Sequence, residues 1–278
     1  MNSPTSIPQS FDLLDSKGQV TWASLALLTL LLVCVGTLWP IYPAADNPAL
    51  ESLLQSEDSL DSTRQLPWLR PTDQNQRLPF DIQALLYVHQ IRGTRAISTH
   101  NLSPQEWVRT LMLISKYTTD LAKGEVVLAL MLLAALWAKL KRFSDEVQMK
   151  INSGFAGMVV GAILTWVIKI GVGRARPNGL FYQGDMDWSP VSLENLHHSF
   201  PSGHSTAAGA MMMLLIFHFP RFRFLWFGAA LWICATRVLT ANHWPTDTLA
   251  GLLVGAFSVA WLSSVTRSRM KARVQEPA

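Results

Sequence analysis

The sequence is poor in charge. Only 15% of its 278 residues are Asp, Glu, Lys or Arg, against about 25% in soluble domains. The few charges are also unevenly placed, which leaves long stretches without any. This argues against an ordinary water-soluble domain. A formal net charge of +4, spread along the chain, is too small to mark a nucleic-acid-binding protein. Cysteine is nearly absent. Cys34 and Cys234 both sit inside apolar stretches and read as small buried hydrophobes, which leaves no disulfide framework and no cysteine metal site. What is plentiful is apolar surface, at 49% of residues, and tryptophan, with eleven copies. Tryptophan favours membrane–water interfaces.

Six apolar stretches are candidates to span a bilayer, for which a helix needs about twenty residues. They run over residues 22–42, about 121–140, about 151–170, 205–219, 222–240 and 246–265. The second is the weakest, because its uncharged part begins only at Val126. The fourth is short unless it starts at Ser202. The first span reads as a retained anchor rather than a cleaved signal peptide, since Lys17 is the only base before it and Asp12 and Asp15 lie beside it. Gly157 and Gly161, and likewise Gly251 and Gly255, lie four apart and allow close helix packing in lipid. Basic clusters follow the second span (Lys139, Lys141, Arg142, Lys150), the fourth (Arg221, Arg223) and the sixth (Arg267, Arg269, Lys271, Arg273). All three fall on one side of a six-span bundle. The excess of basic residues in cytoplasmic loops makes that side cytoplasmic, with both termini on it.

The expected organisation is all-α: a polytopic membrane bundle with a small helical insert outside the membrane. Its parts are a cytoplasmic segment (1–21), a first span (22–42), an outer insert (43–120), a five-helix core (121–265) and a basic tail (266–278). The insert opens with a polar stretch. Phe80, Ile82, Leu85, Leu86 and Val88 then suggest one amphipathic helix, and Ser103-Pro104-Gln105-Glu106 resembles the start of another. The insert reads as a structural appendage.

Ionisable groups at the ends of spans are costly and are therefore candidates for function. Three segments hold them, all at the outer side. Lys169-Ile-Gly-Val-Gly-Arg174-Ala-Arg176-Pro177 closes the third span and carries three cations where positive charge is normally scarce. Arg offers a planar fork to phosphate oxygens and Lys a mobile point charge. Pro201-Ser202-Gly203-His204 precedes the fourth span, where a hydroxyl and helix N-terminal N–H groups can meet an anion. Arg237, His243 and Asp247 belong to the segment 236–247, which links the fifth and sixth spans. The spacing of four lets Asp247 orient one ring nitrogen of His243 and leave the other as a nucleophile. Between the first two segments, the loop 178–199 contains Asp185, Asp187, Trp188, Glu194, His197 and His198 and is a candidate for selecting a head group.

The order and spacing of Lys169 with Arg176-Pro177, of Pro201-Ser202-Gly203-His204, and of Arg237, His243 and Asp247 closely resemble the three-part signature of the type 2 phosphatidic acid phosphatase superfamily. Thr236 stands where the family usually has serine. The first span and insert resemble, in architecture only, the bacterial phosphatidylglycerophosphate phosphatase B type. The resemblance implies a lipid phosphatase with no cofactor and no metal. In it His243 attacks phosphorus, Asp247 orients His243, and His204 serves as acid and then base. Lys169, Arg176, Ser202, Gly203 and Arg237 hold the phosphate. The implied partners are the bilayer and a phosphorylated lipid, such as phosphatidylglycerophosphate, phosphatidic acid, undecaprenyl pyrophosphate or a lipid A phosphate. The site would face the periplasm or exterior of a bacterial inner membrane. Two alternatives stay open: a phosphotransferase using the same first half-reaction, and a non-catalytic carrier of anionic lipids. The oligomeric state is not legible.

Overall fold

A computed structural model describes residue 36 and residues 40–43, 77–92, 106–177 and 188–275. The chain is mostly helical. Among the described residues there are seven α-helices: α1 (Phe80–Arg92), α2 (Glu106–Leu121), α3 (Gly124–Leu140), α4 (Asp145–Val172), α5 (Gly203–His218), α6 (Arg223–Leu239) and α7 (Pro245–Gln275). Two short strands, β1 (Pro40–Pro43) and β2 (Arg77–Pro79), pair antiparallel. They bring the end of the first predicted span beside the start of α1.

Three helical stretches are long and apolar enough to cross a membrane: Asp145–Val172, Pro220–Leu239 and Pro245–Ser268. A fourth exists if Thr110–Asp120 and Gly124–Leu140, bent by 46°, form one broken span. The helix expected over 205–219 has only 16 residues. At 1.5 Å per residue that is about 24 Å, short of the ~30 Å hydrocarbon layer. The described residues therefore support three to four spans. The first of the expected six lies almost wholly outside the described residues, as does the proposed cap at Ser103.

Position in the bundle follows burial. Half of the α7 window is buried, against 22% for α4 and for the α6 stretch, so α7 is the central helix and the others wrap it. Leu133, Trp137, Ile163, Trp166, Phe224 and Leu225 are exposed. Large exposed apolar surfaces of this kind are normal only against lipid, and the chain is an integral membrane protein.

Small residues let α5 and α7 touch backbone to backbone. A Cβ on Gly255 would collide with the Thr206 carbonyl, one on Gly251 with the Ser202 carbonyl, and one on Gly209 with the Leu252 carbonyl. Gly157 of α4 meets the Val259 Cα, where a Cβ would lie 2.7 Å away. Polar bonds fix the same contacts. Thr206 donates its hydroxyl to the Ser202 carbonyl, so the 2.8 Å bond to Thr165 of α4 has Thr165 as donor. On the other side, Thr119 of α2 donates to Thr236 of α6 at 2.6 Å. Gly255→Ala is expected to force α5 from α7 and cost about 1–3 kcal/mol. Gly228→Ala, where a Cβ meets nothing within 4 Å, should be neutral. Thermal unfolding in detergent distinguishes the two.

Candidate active site

Four helix ends converge at one end of the bundle: the C-termini of α4 and α6 and the N-termini of α5 and α7. The two N-termini contribute partial positive charge and free N–H groups.

The α4 end is set by Gly173, which adopts a left-handed backbone (φ +62°) and sits against the Ser189 carbonyl with no room for a Cβ. The chain turns there, and the alternation of the next three residues separates two arginines. Arg174 goes into the bundle and is 4% exposed. Arg176 stays at the rim, donating from Nε to the Asn195 carbonyl (2.9 Å) and from Nη2 to Asn195 Oδ1 (3.0 Å). Lys169 Nζ donates to the His198 carbonyl at 2.9 Å. The loop thus meets Lys169 through a main-chain oxygen and Arg176 through both the carbonyl and the side-chain oxygen of Asn195. The ring of His198 turns away, with Nε2 2.8 Å from the Ser192 carbonyl. Asp185 and Asp187 lie outside the described residues.

The α5 end is capped by Ser202, whose Oγ accepts from the Ser205 N–H at 3.5 Å. A Cβ on Gly203 would meet nothing within 4 Å, so the motif opens onto free space at this point. Among the described residues, His204 Nε2 and Arg237 Nε are buried without a hydrogen-bond partner. Buried polar atoms in that state cost roughly 1–3 kcal/mol each, and their presence at one site marks a place prepared for a polar ligand.

After α6, Ala241 adopts a left-handed conformation (φ 54°). The Asn242 and His243 N–H groups both turn back to the Arg237 carbonyl. This turn places His243, 2% exposed, in the middle of the cluster. Burial, and then the positive charges of Lys169, Arg176 and Arg237, hold its imidazole well below the ordinary histidine range. It is therefore neutral near neutral pH. Its Nδ1 lies 2.8 Å from the Ser199 carbonyl. A carbonyl only accepts, so Nδ1 carries the hydrogen and Nε2 keeps its lone pair.

This corrects the pairing expected from the sequence. Asp247 Oδ2 is 3.7 Å from His243 Nδ1, beyond hydrogen-bond range. The carboxylate is already filled. Arg174 Nη1 donates to Oδ1 at 2.7 Å, while Ser199 Oγ (2.5 Å) and the Trp244 N–H (3.0 Å) donate to Oδ2. Asp247 lies within ion-pair distance of the ring without a hydrogen bond to it, and also fixes Ser199, whose carbonyl takes the ring N–H. One further sequence reading also changes. Arg174 is not an open phosphate ligand, because its other arm donates from Nη2 to Asp81 at 2.7 Å. The hydroxyl of Thr236 accepts from Thr119 of α2.

The sequence reasoning missed Ser199 and Asp81. Ser199 acts partly through its carbonyl, which any residue has. Asp81 left one signal: an acid on the apolar face that also holds Ile82, Leu85 and Leu86.

A depressed histidine has a signed consequence. The unfolded chain takes up this proton near pH 6.5 and the folded chain only well below it. Stability is thus unaffected above about 6.5 and falls as pH drops beneath it, by roughly 1 kcal/mol per pH unit. His243→Gln should remove that share of the decline in acid unfolding curves.

Residues 152–271 match the model of the PAP2 superfamily. Two curated relatives are each named "Lipid A 1-phosphatase". That of Rhizobium johnstonii is 38% identical over 112 residues, covering 40% of this chain and 44% of the relative. That of Rhizobium etli is 37% identical over 112 residues, covering 40% and 47%. The chain thus spans less than half the length of the curated relatives it matches. Among solved structures, LpxE of Aquifex aeolicus aligns with a TM-score of 0.45 at 21% identity over 65% of this chain and 94% of that one. A transmembrane PAP2-type phosphatidylglycerolphosphate phosphatase from Bacillus subtilis aligns at 0.48 and 18% over 88% and 96%.

Proposed function

We propose that the protein is a membrane-embedded phosphatase that removes phosphate from a lipid through a phosphohistidine on His243. The observation that carries this reading is the tautomer of His243. Its N–H is pinned by the Ser199 carbonyl, which leaves a neutral nucleophilic Nε2 in the field of Lys169, Arg176 and Arg237.

The lone pair of Nε2 attacks phosphorus and the bond from phosphorus to the lipid-side oxygen breaks. His204 gives that oxygen a proton. A water then attacks the phosphohistidine, passes its proton to His204, and releases inorganic phosphate and neutral His243. Lys169, Arg176 and Arg237, with the Ser202 hydroxyl and Gly203 N–H, surround the three non-bridging oxygens and stabilise charge in the transition state. Asp247 supports the imidazolium through Ser199.

The proposed mechanism uses no metal. Asp81 and Asp247 are both committed to Arg174, and no cluster of three metal-binding side chains occurs among the described residues. The relatives' name makes the 1-phosphate of lipid A the first substrate to test. The site faces the exterior, with the basic loops inside.

Purified protein is to be assayed for phosphate release from lipid A 1-phosphate, phosphatidylglycerophosphate, phosphatidic acid and undecaprenyl pyrophosphate, with and without chelator. Release from at least one, unchanged by chelator, is the expected result. Transfer of the phosphate to a second lipid without free phosphate would favour a phosphotransferase. Dependence on a divalent ion would contradict the metal-free mechanism.

A further inference from the structure

The N-terminus of α1, in the outer insert, reaches the catalytic end of the bundle. Asp81 is 1% exposed there. Its Oδ2 accepts from Arg174 Nη2 (2.7 Å) and from Thr246 Oγ1 (2.5 Å), and its Oδ1 accepts from the Thr246 N–H (3.1 Å). The Thr246 N–H is one of the unsatisfied donors of the first turn of α7, so an aspartate from a distant helix caps the helix that carries Asp247. Arg174 also donates from Nη1 to Thr246 Oγ1 at 2.9 Å, and its charge lies over the ring of Trp244. Gly36 packs on the same cluster, since a Cβ there would collide with the Asp81 carboxylate and the Thr246 hydroxyl. Asp81 and Gly36 lie outside the family-matched segment, residues 152–271, whereas Arg174, Trp244 and Thr246 lie inside it.

A chain of short buried bonds runs from Asp81 to Arg174 and Thr246, on to Asp247, to Ser199, and to the N–H of His243. Arg174 is a rigid fork that matches two carboxylates at once only when both are in place. We infer that Asp81 is a positioning residue for His243: the outer insert completes the phosphoryl-transfer site by fixing Arg174 and the first turn of α7. This rests on the function proposed above. It also changes the standing of the insert, from an appendage to a part required for turnover.

The test uses full-length protein in detergent micelles, with phosphate release from the best lipid substrate as one readout. The other is the hydrogen-bonded Nδ1 proton of His243, observed by NMR with 15N-histidine. In Asp81→Ala, kcat per folded molecule should fall about 10- to 100-fold, the scale of small misplacements, while KM stays within about threefold because no phosphate ligand has been touched. The Nδ1 resonance should shift or broaden. Asp81→Asn keeps one of the two acceptor oxygens and sets an NH2 donor at the other position, so it can serve the Thr246 N–H or Arg174 but not both and should recover only part of both readouts.

Wild-type kcat with an unmoved resonance in folded Asp81→Ala would overturn the inference, as would a loss seen only in KM. If that variant does not fold, Arg174→Lys takes its place. A lysine cannot bridge both carboxylates, so the same fall and the same shift are expected, and unchanged values contradict the proposal. If the wild type releases no phosphate from any lipid, the proposed function fails, but the resonance still decides on Asp81.

Discussion

Replacing His243 by alanine is expected to reduce phosphate release by at least about 10⁴-fold, in line with the removal of other catalytic nucleophiles, while lipid binding persists. Among the described residues, His243 alone combines a buried neutral imidazole, a fixed tautomer and three facing cations. The cations and the α5 N-terminus remain in the variant and still bind a phosphate. The ring of His243 hydrogen-bonds to the Ser199 carbonyl, so its loss leaves one acceptor short and the fold largely intact. A variant that lost binding together with turnover would point to a structural role. One that kept turnover would remove His243 from the chemistry.

The second large effect separates two arginines that lie two residues apart. Arg174→Ala is expected to destabilise the protein by about 3–5 kcal/mol, the cost of leaving a buried charge without its partner. Two carboxylates depend on it, and both are about 1% exposed or less. Burial already pushes the Asp81 carboxyl above its ordinary range, and Arg174 is what opposes that rise. Without the guanidinium, one of the two carboxylates must take up a proton or the insert must leave the bundle. Arg176→Ala should do the opposite. Its bonds are to a rim loop, so stability should change by less than about 1 kcal/mol. Turnover should fall by about 10²–10³-fold, as for other donors to a developing anion. Thermal unfolding and kinetics of the two variants should therefore cross: one unstable, the other stable and slow. Matching behaviour would mean that the division of labour drawn from their burial is wrong.

These two arginines also show what the sequence could and could not reveal. Lys169, Arg176, His204, Arg237 and His243 stand out as candidates in the sequence because spacing at the ends of apolar segments puts ionisable groups where lipid would penalise them. The helices were legible for the same reason, as long apolar stretches between basic loops. The partner of His243 was not. A spacing of four from His243 to Asp247 permits contact across a helical turn, but α7 starts only at Pro245. His243 therefore sits in the preceding turn, and Asp247 bends back to the Trp244 N–H instead. Ser199 holds the ring through a backbone carbonyl, which leaves no mark in composition. Arg174 and Arg176 look alike on paper. Only the left-handed turn at Gly173 decides which of them enters the bundle. Asp81 was unreadable in a different way, since its partners Arg174 and Thr246 lie 93 and 165 residues along the chain. The number of spans was uncertain where a helix is short: α5 has 16 residues and carries the motif at its first turn, so its length reflects where the site must sit.

Turnover as proposed runs through a covalent bond between His243 and phosphorus. Rapid-quench trapping of the enzyme with a 32P-labelled lipid substrate, followed by peptide mapping, measures it directly. Label that is stable in alkali, lost in acid, located on the peptide containing His243 and absent from His243→Ala is the predicted result. Turnover with no trapped label, or label on the His204 peptide, would contradict it.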